Sequence, residues 1–173
     1  MTRRRRDVAP PPTPCEGPEP GPPYPFEIRR SPLHGKGAFA TRPLAPGTRI
    51  IEYAGARLTP RQADARDKAR QRAGQHHTFL FAIDDDLVID AGDGGNAARW
   101  LNHSCAPNCD VVVDGRRLWI ETLHDIEPGE ELVYDYAFVL PERHTPARKA
   151  QYPCHCGAAT CRGTMLIPKK QAR

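Results

Sequence analysis

Short extended segments, cut off from one another by turn residues, limit the fold of this chain more than any other feature. Strand candidates fall at residues 26–30, 38–41, 48–53, 78–83, 87–90, 110–113, 117–122 and 131–134. Pro46-Gly47 and Pro128-Gly129 mark turns that each precede a strand, and Asp114-Gly115 signals a tight hairpin between two candidates. One helix is well marked. Thr59 suits an N-cap, Pro60 the first helical position, Gln62 a capping box and Gly74 a C-terminal stop. This segment is polar almost all round, so it is expected on the surface with only its alanines against the body. A second short helix is expected after Asn96, through residues 97–101. Many short strands with few helices predict small packed sheets, a mainly β fold rather than a doubly wound one. Gly35-Lys36-Gly37 lacks the third glycine and the long helix of a dinucleotide-binding turn.

The 173 residues suit one domain plus tails. The net charge of +4 invites a nucleic-acid reading, but its location argues otherwise. Residues 1–25 carry +1 and residues 169–173 carry +3, so the middle of the chain is formally neutral. A folded nucleic-acid reader more often carries a basic face on its core. Residues 1–25, with four arginines and then a proline-dominated stretch, read as a disordered or polyproline-like arm. Nucleic-acid contact is expected at most weakly, through the basic termini. The sequence holds no apolar run long enough for a membrane span and no secretory leader, so no membrane association and a cytoplasmic location are expected. Reduced thiols in that compartment favour metal binding over cross-linking.

Three constellations carry chemistry. Cys154, Cys156 and Cys161 lie within eight residues, and a Cys-x-Cys pair does not easily reach relaxed disulfide geometry. Zinc takes four tetrahedral ligands, so one more is needed, with Cys105, Cys109, His155 and Cys15 as candidates. Residues 94–109 run from a short helix into Asn102-His103-Ser104-Cys105-Ala106-Pro107-Asn108, side chains able to satisfy buried backbone where the chain crosses itself. Residues 129–136 end a strand with Tyr134 and Tyr136, two apart and so on one side.

Taken together, and in this order along the chain, these blocks resemble the SET-domain family of protein lysine methyltransferases with a post-SET zinc segment. The resemblance covers about residues 26–167. It rests on Gly35-Lys36-Gly37, Glu52-Tyr53-Ala54-Gly55, Phe79-Leu80-Phe81, Ile89-Asp90-Ala91, the Gly95–Asn108 block, Gly129-Glu130-Glu131 with Asp135-Tyr136, and the cysteine segment 154–163. The implied fold is a set of small β-sheets around a knot-like crossing, with residues 102–105 passing a loop near Tyr136, and a C-terminal zinc knuckle. The implied division is an arm at 1–25, a catalytic domain at 26–140, a post-SET segment at 141–167 and a basic tail at 168–173.

The resemblance also implies roles. Tyr136 is the expected catalytic tyrosine, Tyr53 lines a lysine channel, and Tyr134 limits the reaction mainly to one methyl. S-adenosylmethionine is the expected methyl donor, met by Gly35, Lys36, Gly37, Phe79, Arg99, Trp100, Asn102 and His103. The glycines are expected there because a Cβ blocks close approach to the cofactor. Cys105 becomes the fourth ligand of a structural Zn2+ with Cys154, Cys156 and Cys161, and Cys109 is left as a free thiol in a strand. Three positions depart from the family pattern: Ala56 replaces an acidic residue, Phe79 a tyrosine, and Trp100 a phenylalanine. The expected partner is a lysine-containing protein, with a basic tail attracted by the acidic run Asp84, Asp85, Asp86, Asp90 and Asp93 or that run simply a solvated turn. A monomer is expected. The rival reading is a non-catalytic module that keeps the shape and holds lysine-rich segments.

Overall fold

The computed structural model describes residues 24–74, 79–140 and 142–168 of the chain. Among the described residues, ten strands form three small sheets: β1 (Phe26–Arg30), β2 (Lys36–Ala40), β3 (Arg49–Glu52), β4 (Ala56–Leu58), β5 (Leu80–Ala82), β6 (Val88–Asp90), β7 (Asn102–His103), β8 (Cys109–Asp114), β9 (Arg117–Thr122) and β10 (Glu131–Tyr134). Their orders are β1-β2-β10-β7, β3-β9-β8 and β4-β6-β5. The expected mainly β architecture of small sheets is therefore the one found. Thr78, which the sequence places at the head of one strand, lies outside the described residues, as do the Arg/Pro-rich arm up to residue 23, with Cys15, and the basic tail from 169.

Local chemistry explains most of the boundaries. The hairpin between β8 and β9 pairs Asp114 with Arg117, so its two loop residues are Gly115 and Arg116, one position beyond the expected dipeptide. Gly115 has φ +62°, which only glycine adopts cheaply. Helix α1 (Pro60–Arg72) begins at Thr59, whose side chain accepts from the Gln62 N–H while Gln62 returns the bond to the Thr59 N–H. Residues Ala97–Trp100 form a 3-10 helix capped by Asn96 and ending one residue before the expected limit. A further turn of helix, α2 (Pro146–Lys149), stands in the C-terminal segment.

The expectation for α1 needs correction. Ala63 is its buried residue, but alanines are not what fastens it. Arg70 donates to Asp90 Oδ2 at 2.7 Å and Arg66 to the same oxygen at 3.3 Å. A polar helix is anchored by two guanidiniums that clasp one carboxylate in β6. The acidic run is corrected with it: Asp90 has no exposed surface and Asp93 pairs with Arg66 at 2.8 Å. Asp84, Asp85 and Asp86 stay in an exposed turn, and Asp93, though paired, is exposed as well.

The core lies between the sheets, with Ile89, Leu101, Leu118, Ile120, Ile126 and Leu132 almost fully buried. β7 runs parallel to β10, with Asn102 beside Val133 and His103 beside Tyr134. The Ser104 N–H donates to the Tyr134 carbonyl and the Asn108 N–H to the Val133 carbonyl. The Asn108 side chain closes a ring on β10, donating to the Glu131 carbonyl and accepting from the Val133 N–H. So the two segments of the expected crossing lie against each other along residues 102–108 and 131–136. No helix among the described residues is long and apolar enough to cross a membrane.

Candidate active site and metal centre

The end of β10 delivers the tyrosines. Tyr134 and Tyr136 have ring centroids 4.9 Å apart, Phe81 lies 6.4 Å from Tyr134, and Tyr53 lies 5.7 Å from Phe81. The row continues through Phe138, 5.5 Å from Tyr136, to Tyr152, 6.0 Å from Phe138. All three expected tyrosines are thus brought together, in an aromatic wall that the sequence reading left incomplete. Phe138 repeats the two-residue spacing of Tyr134 and Tyr136, a signal available in the sequence. Phe81 follows Phe79 at the same spacing, and nothing local marks Tyr152 in that way.

The phenols differ in their partners. Tyr136 Oη donates to the Leu101 carbonyl at 2.8 Å, and Tyr53 Oη donates to the Phe79 carbonyl at 3.1 Å. The hydroxyl hydrogen of Tyr136 is therefore committed to the backbone, and its oxygen lone pairs are left to accept. Tyr134 is buried, and no described residue bonds its hydroxyl. Burial pushes all three phenols well above the ordinary tyrosine range, and the charge of Glu131 adds to the effect on Tyr136. They remain neutral phenols at any physiological pH.

The positions expected to meet the cofactor form two groups. In the first, Phe79 stands edge-on to Trp100 at 5.8 Å. Arg99 lies over the Trp100 ring at 4.8 Å and Lys36 over it at 4.9 Å. Two cations around an aromatic platform make a place for a ring and an anionic group. In the second, Asn102 Nδ2 faces the Lys36 carbonyl at 2.9 Å, the His34 carbonyl at 3.2 Å and Glu131 Oε1 at 2.7 Å. Three acceptors around one end of the amide fix that end as the NH2. Gly37 is explained differently from the expectation. A Cβ there collides with Glu131 Oε1 and meets the Ser31 Cβ, so this glycine makes room for a side chain of the protein itself. Gly35 has φ +50° and open space where a Cβ stands, so its backbone conformation is the constraint.

His103 links this site to the cysteines. Its Nδ1 accepts from the Tyr136 N–H at 3.1 Å, which leaves the proton on Nε2, 3.5 Å from Cys105 Sγ. Burial holds the ring below the usual histidine range, against the pull of Asp135. Asp135 in turn accepts both arms of Arg162, at 2.7 and 2.8 Å.

The sulfurs of Cys105, Cys154, Cys156 and Cys161 all lie within 4.8 Å of one another. A tetrahedral zinc thiolate with bonds near 2.3 Å sets sulfurs about 3.8 Å apart, and Cys105 and Cys154 stand at 3.7 Å. Backbone N–H groups already point at these sulfurs: Cys105 N–H to Cys156, Arg162 N–H to Cys105, and Gly163 N–H to Cys161. Burial opposes ionisation of Cys156, but donors from Cys105 and Ala158 and the neighbouring thiols bring its pKa down to about 6. Four sulfurs at this spacing, with donors aimed at them, fit Zn2+. Cys109 stands apart at the head of β8, fully buried, its thiol pushed up to about 12 by burial. His155 is exposed and Cys15 lies outside the described residues.

Comparison with known proteins agrees with this geometry. A family model described as SET domain matches residues 35–137. The chain is 43% identical over 135 residues to a Schizosaccharomyces pombe protein named histone-lysine N-methyltransferase, H3 lysine-4 specific, covering 76% of this chain and 14% of that protein. It is 41% identical over 143 residues to the Candida albicans protein of the same name, covering 80% of this chain and 13% of the relative. A Caenorhabditis elegans protein, histone-lysine N-methyltransferase set-2, is 41% identical over 142 residues, covering 80% of this chain and 9% of the relative. The chain thus spans a small part of the length of the curated relatives it matches.

Proposed function

The chain belongs to the SET-domain family, and from that premise we propose that it is a protein-lysine N-methyltransferase acting on a lysine side chain of a protein substrate, mainly to the monomethyl product. The observation that carries this reading is the aromatic wall of Tyr53, Phe81, Tyr134 and Tyr136, with the Tyr136 hydroxyl hydrogen fixed on the Leu101 carbonyl. S-adenosylmethionine, when bound, supplies an electrophilic methyl on a sulfonium sulfur. The residues that would hold it are Asn102, Lys36, Arg99, Phe79, Trp100 and the backbone of 35–37. The donor set suits its parts: cations for a carboxylate, aromatic faces for a base, and the Asn102 amide oxygen for an ammonium. The cysteine centre would carry Zn2+ as a structural ion, tying residues 154–161 to Cys105 and so to His103.

The chain's own residues then do two things. A lysine ammonium has a reference pKa of about 10.4 and must lose its proton to attack. Passage between buried aromatic faces favours the neutral amine, because the charged form loses its water. Tyr136, neutral and with lone pairs exposed, accepts from the amine and from the polarised methyl C–H groups as charge develops, and so aligns them at about 3 Å. The Tyr134 hydroxyl, with no protein partner among the described residues, suits a bound water that crowds a methylated amine. That is the support for one methyl rather than three.

The relatives named for histone H3 lysine 4 favour a lysine in a basic polypeptide tail as the substrate. Exposed Asp84, Asp85 and Asp86 suit such a tail. The test is transfer of label from methyl-labelled S-adenosylmethionine into lysate protein, followed by identification of the labelled band. Labelling by wild type that disappears with Tyr136→Phe is expected. Equal labelling by the two proteins, or none by either, overturns the reading.

A further inference from the structure

We propose that Glu131 is the positioning residue of the cofactor pocket: it orients the Asn102 amide so that Oδ1 faces outward as an acceptor for a cofactor ammonium. The inference rests on the methyltransferase reading above and assigns a residue to which that reading gives no role.

Glu131 opens β10, two residues before its pairing with β7 begins at Val133. Its carboxylate has a neutral donor on each oxygen: Ser31 Oγ on Oε2 at 2.8 Å and Asn102 Nδ2 on Oε1 at 2.7 Å. No lysine or arginine among the described residues pairs with it. A partly buried carboxylate without a cation is costly, so what it gains must come from the groups it orders. Ser31 Oγ also accepts from the Leu33 and His34 N–H groups, at 2.9 and 3.3 Å. One carboxylate thus ties together the turn that leads to Gly35-Lys36-Gly37 and the amide of Asn102.

The consequence lies at the amide's other end. The Asn102 NH2 is surrounded by the Glu131 carboxylate and two backbone carbonyls, so a flipped amide would set oxygen against three acceptors. No described residue bonds Asn102 Oδ1, which is left to a ligand. Gly37 belongs to the same device. Any side chain at 37 displaces Glu131 Oε1, so the glycine also protects the orientation of Asn102.

The experiment is isothermal titration of the purified chain with S-adenosylmethionine, with kcat and cofactor KM measured in parallel and a thermal melt of each unliganded variant. Glu131→Gln keeps an oxygen for Asn102 and is expected to bind within about threefold of wild type. Glu131→Ala leaves the Ser31 hydroxyl without its acceptor and the Asn102 amide held by the His34 and Lys36 carbonyls alone, and is expected to weaken binding about tenfold or more, in Kd and KM, with kcat at saturating cofactor nearly unchanged. Gly37→Ala is expected to match that loss, and to add little to it in the double variant with Glu131→Ala, since the carboxylate it displaces is then gone and only the Ser31 Cβ, at 3.0 Å, stays close. This pair keeps the test decisive if Glu131→Ala melts too early to titrate. Additive losses in the double variant, failure of Glu131→Gln to rescue, or unchanged affinity in both Glu131→Ala and Gly37→Ala overturn the inference. Wild type that binds no S-adenosylmethionine sinks the methyltransferase reading along with it.

Discussion

The hydroxyl of Tyr136 is one oxygen atom, and two different measurements follow from its position. Tyr136→Phe removes the donor to the Leu101 carbonyl and the acceptor facing the site, but leaves the ring on Tyr134 and His103. The expected stability loss is about 1 kcal/mol, the cost of an unpaired carbonyl. The expected fall in kcat is about 10²–10³-fold, the usual effect of removing one aligned polar group from a reacting centre. Urea unfolding and single-turnover rates separate the two. A tenfold or smaller change in rate means that the phenol does not touch the reaction. Tyr134→Phe is the opposite case: no described residue bonds its hydroxyl, so little stability should be lost. The product is expected to shift from monomethyl toward di- and trimethyl lysine in mass spectra of a labelled peptide. Mainly trimethyl product from wild type, unchanged in the variant, removes the water-and-crowding argument.

Helix α1 shows how an element with almost no apolar face can still be fixed to a fold. Asp90 is fully buried, takes Arg70 and Arg66 on Oδ2, and accepts the Gly92 N–H on Oδ1 at 3.0 Å. Burial alone would raise its pKa, but Arg70 and the Gly92 N–H outweigh that and hold it below the usual carboxylate range. The folded value lies below the unfolded reference of about 3.9. Stability from this group is therefore present above that reference and lost as pH falls through the folded value. Urea midpoints of wild type should fall steeply below about pH 4, and Asp90→Asn should flatten that slope. Asp90→Ala, which strands the partly buried Arg70, is expected to lose about 3 kcal/mol at pH 7. Arg66→Ala, at a side chain 41% exposed, should lose under about 1 kcal/mol. This clasp was not legible in the sequence, where an arginine on a polar helix reads as a solvated side chain. The strand β4 was also missed, because the alternation of Ala56-Arg57-Leu58 is too short to stand out, and β7 because two residues form a strand only through their partner. The ends of β1, β9 and β10 were legible, since turn residues and alternation coincide there. So were Tyr134, Tyr136 and three of the cysteines, as chemical types at fixed spacing, while Tyr53 and Cys105 came only with the family resemblance. The acceptors of Tyr136, Asn102 and His103 were not, because they are carbonyls, carboxylates and sulfurs brought close only by folding.

At the scale of the whole molecule, the C-terminal segment is fastened to the body at few points, and most converge on the sulfurs. Phe138 exchanges backbone bonds with Met165 and Ile167, Arg162 clasps Asp135, and Cys105 reaches Cys154, Cys156 and Cys161. Within the segment itself, regular structure is limited to the short α2 and the single bridge between Pro153 and Thr164. In a stretch held mostly by turns and isolated bonds, the proposed tetrahedral zinc would supply the constraint that regular structure does not. One zinc per chain is therefore expected by elemental analysis. Removing it with a strong chelator should open residues 142–168 to proteolysis while the sheets around Leu118, Ile120 and Leu132 stay protected. Cys161→Ser should do the same without chelator, and Cys109→Ser should not change the zinc content, because that thiol is buried at the head of β8. Because Phe138 and Tyr152 belong both to this segment's anchorage and to the aromatic wall, zinc loss should also weaken peptide binding before the body unfolds. Fluorescence of the unfolding transition, protease mapping and peptide titration on the same chelated sample read the three effects separately. A chelated chain whose segment stays protected would show that packing, and not the metal, holds the C-terminus over the site.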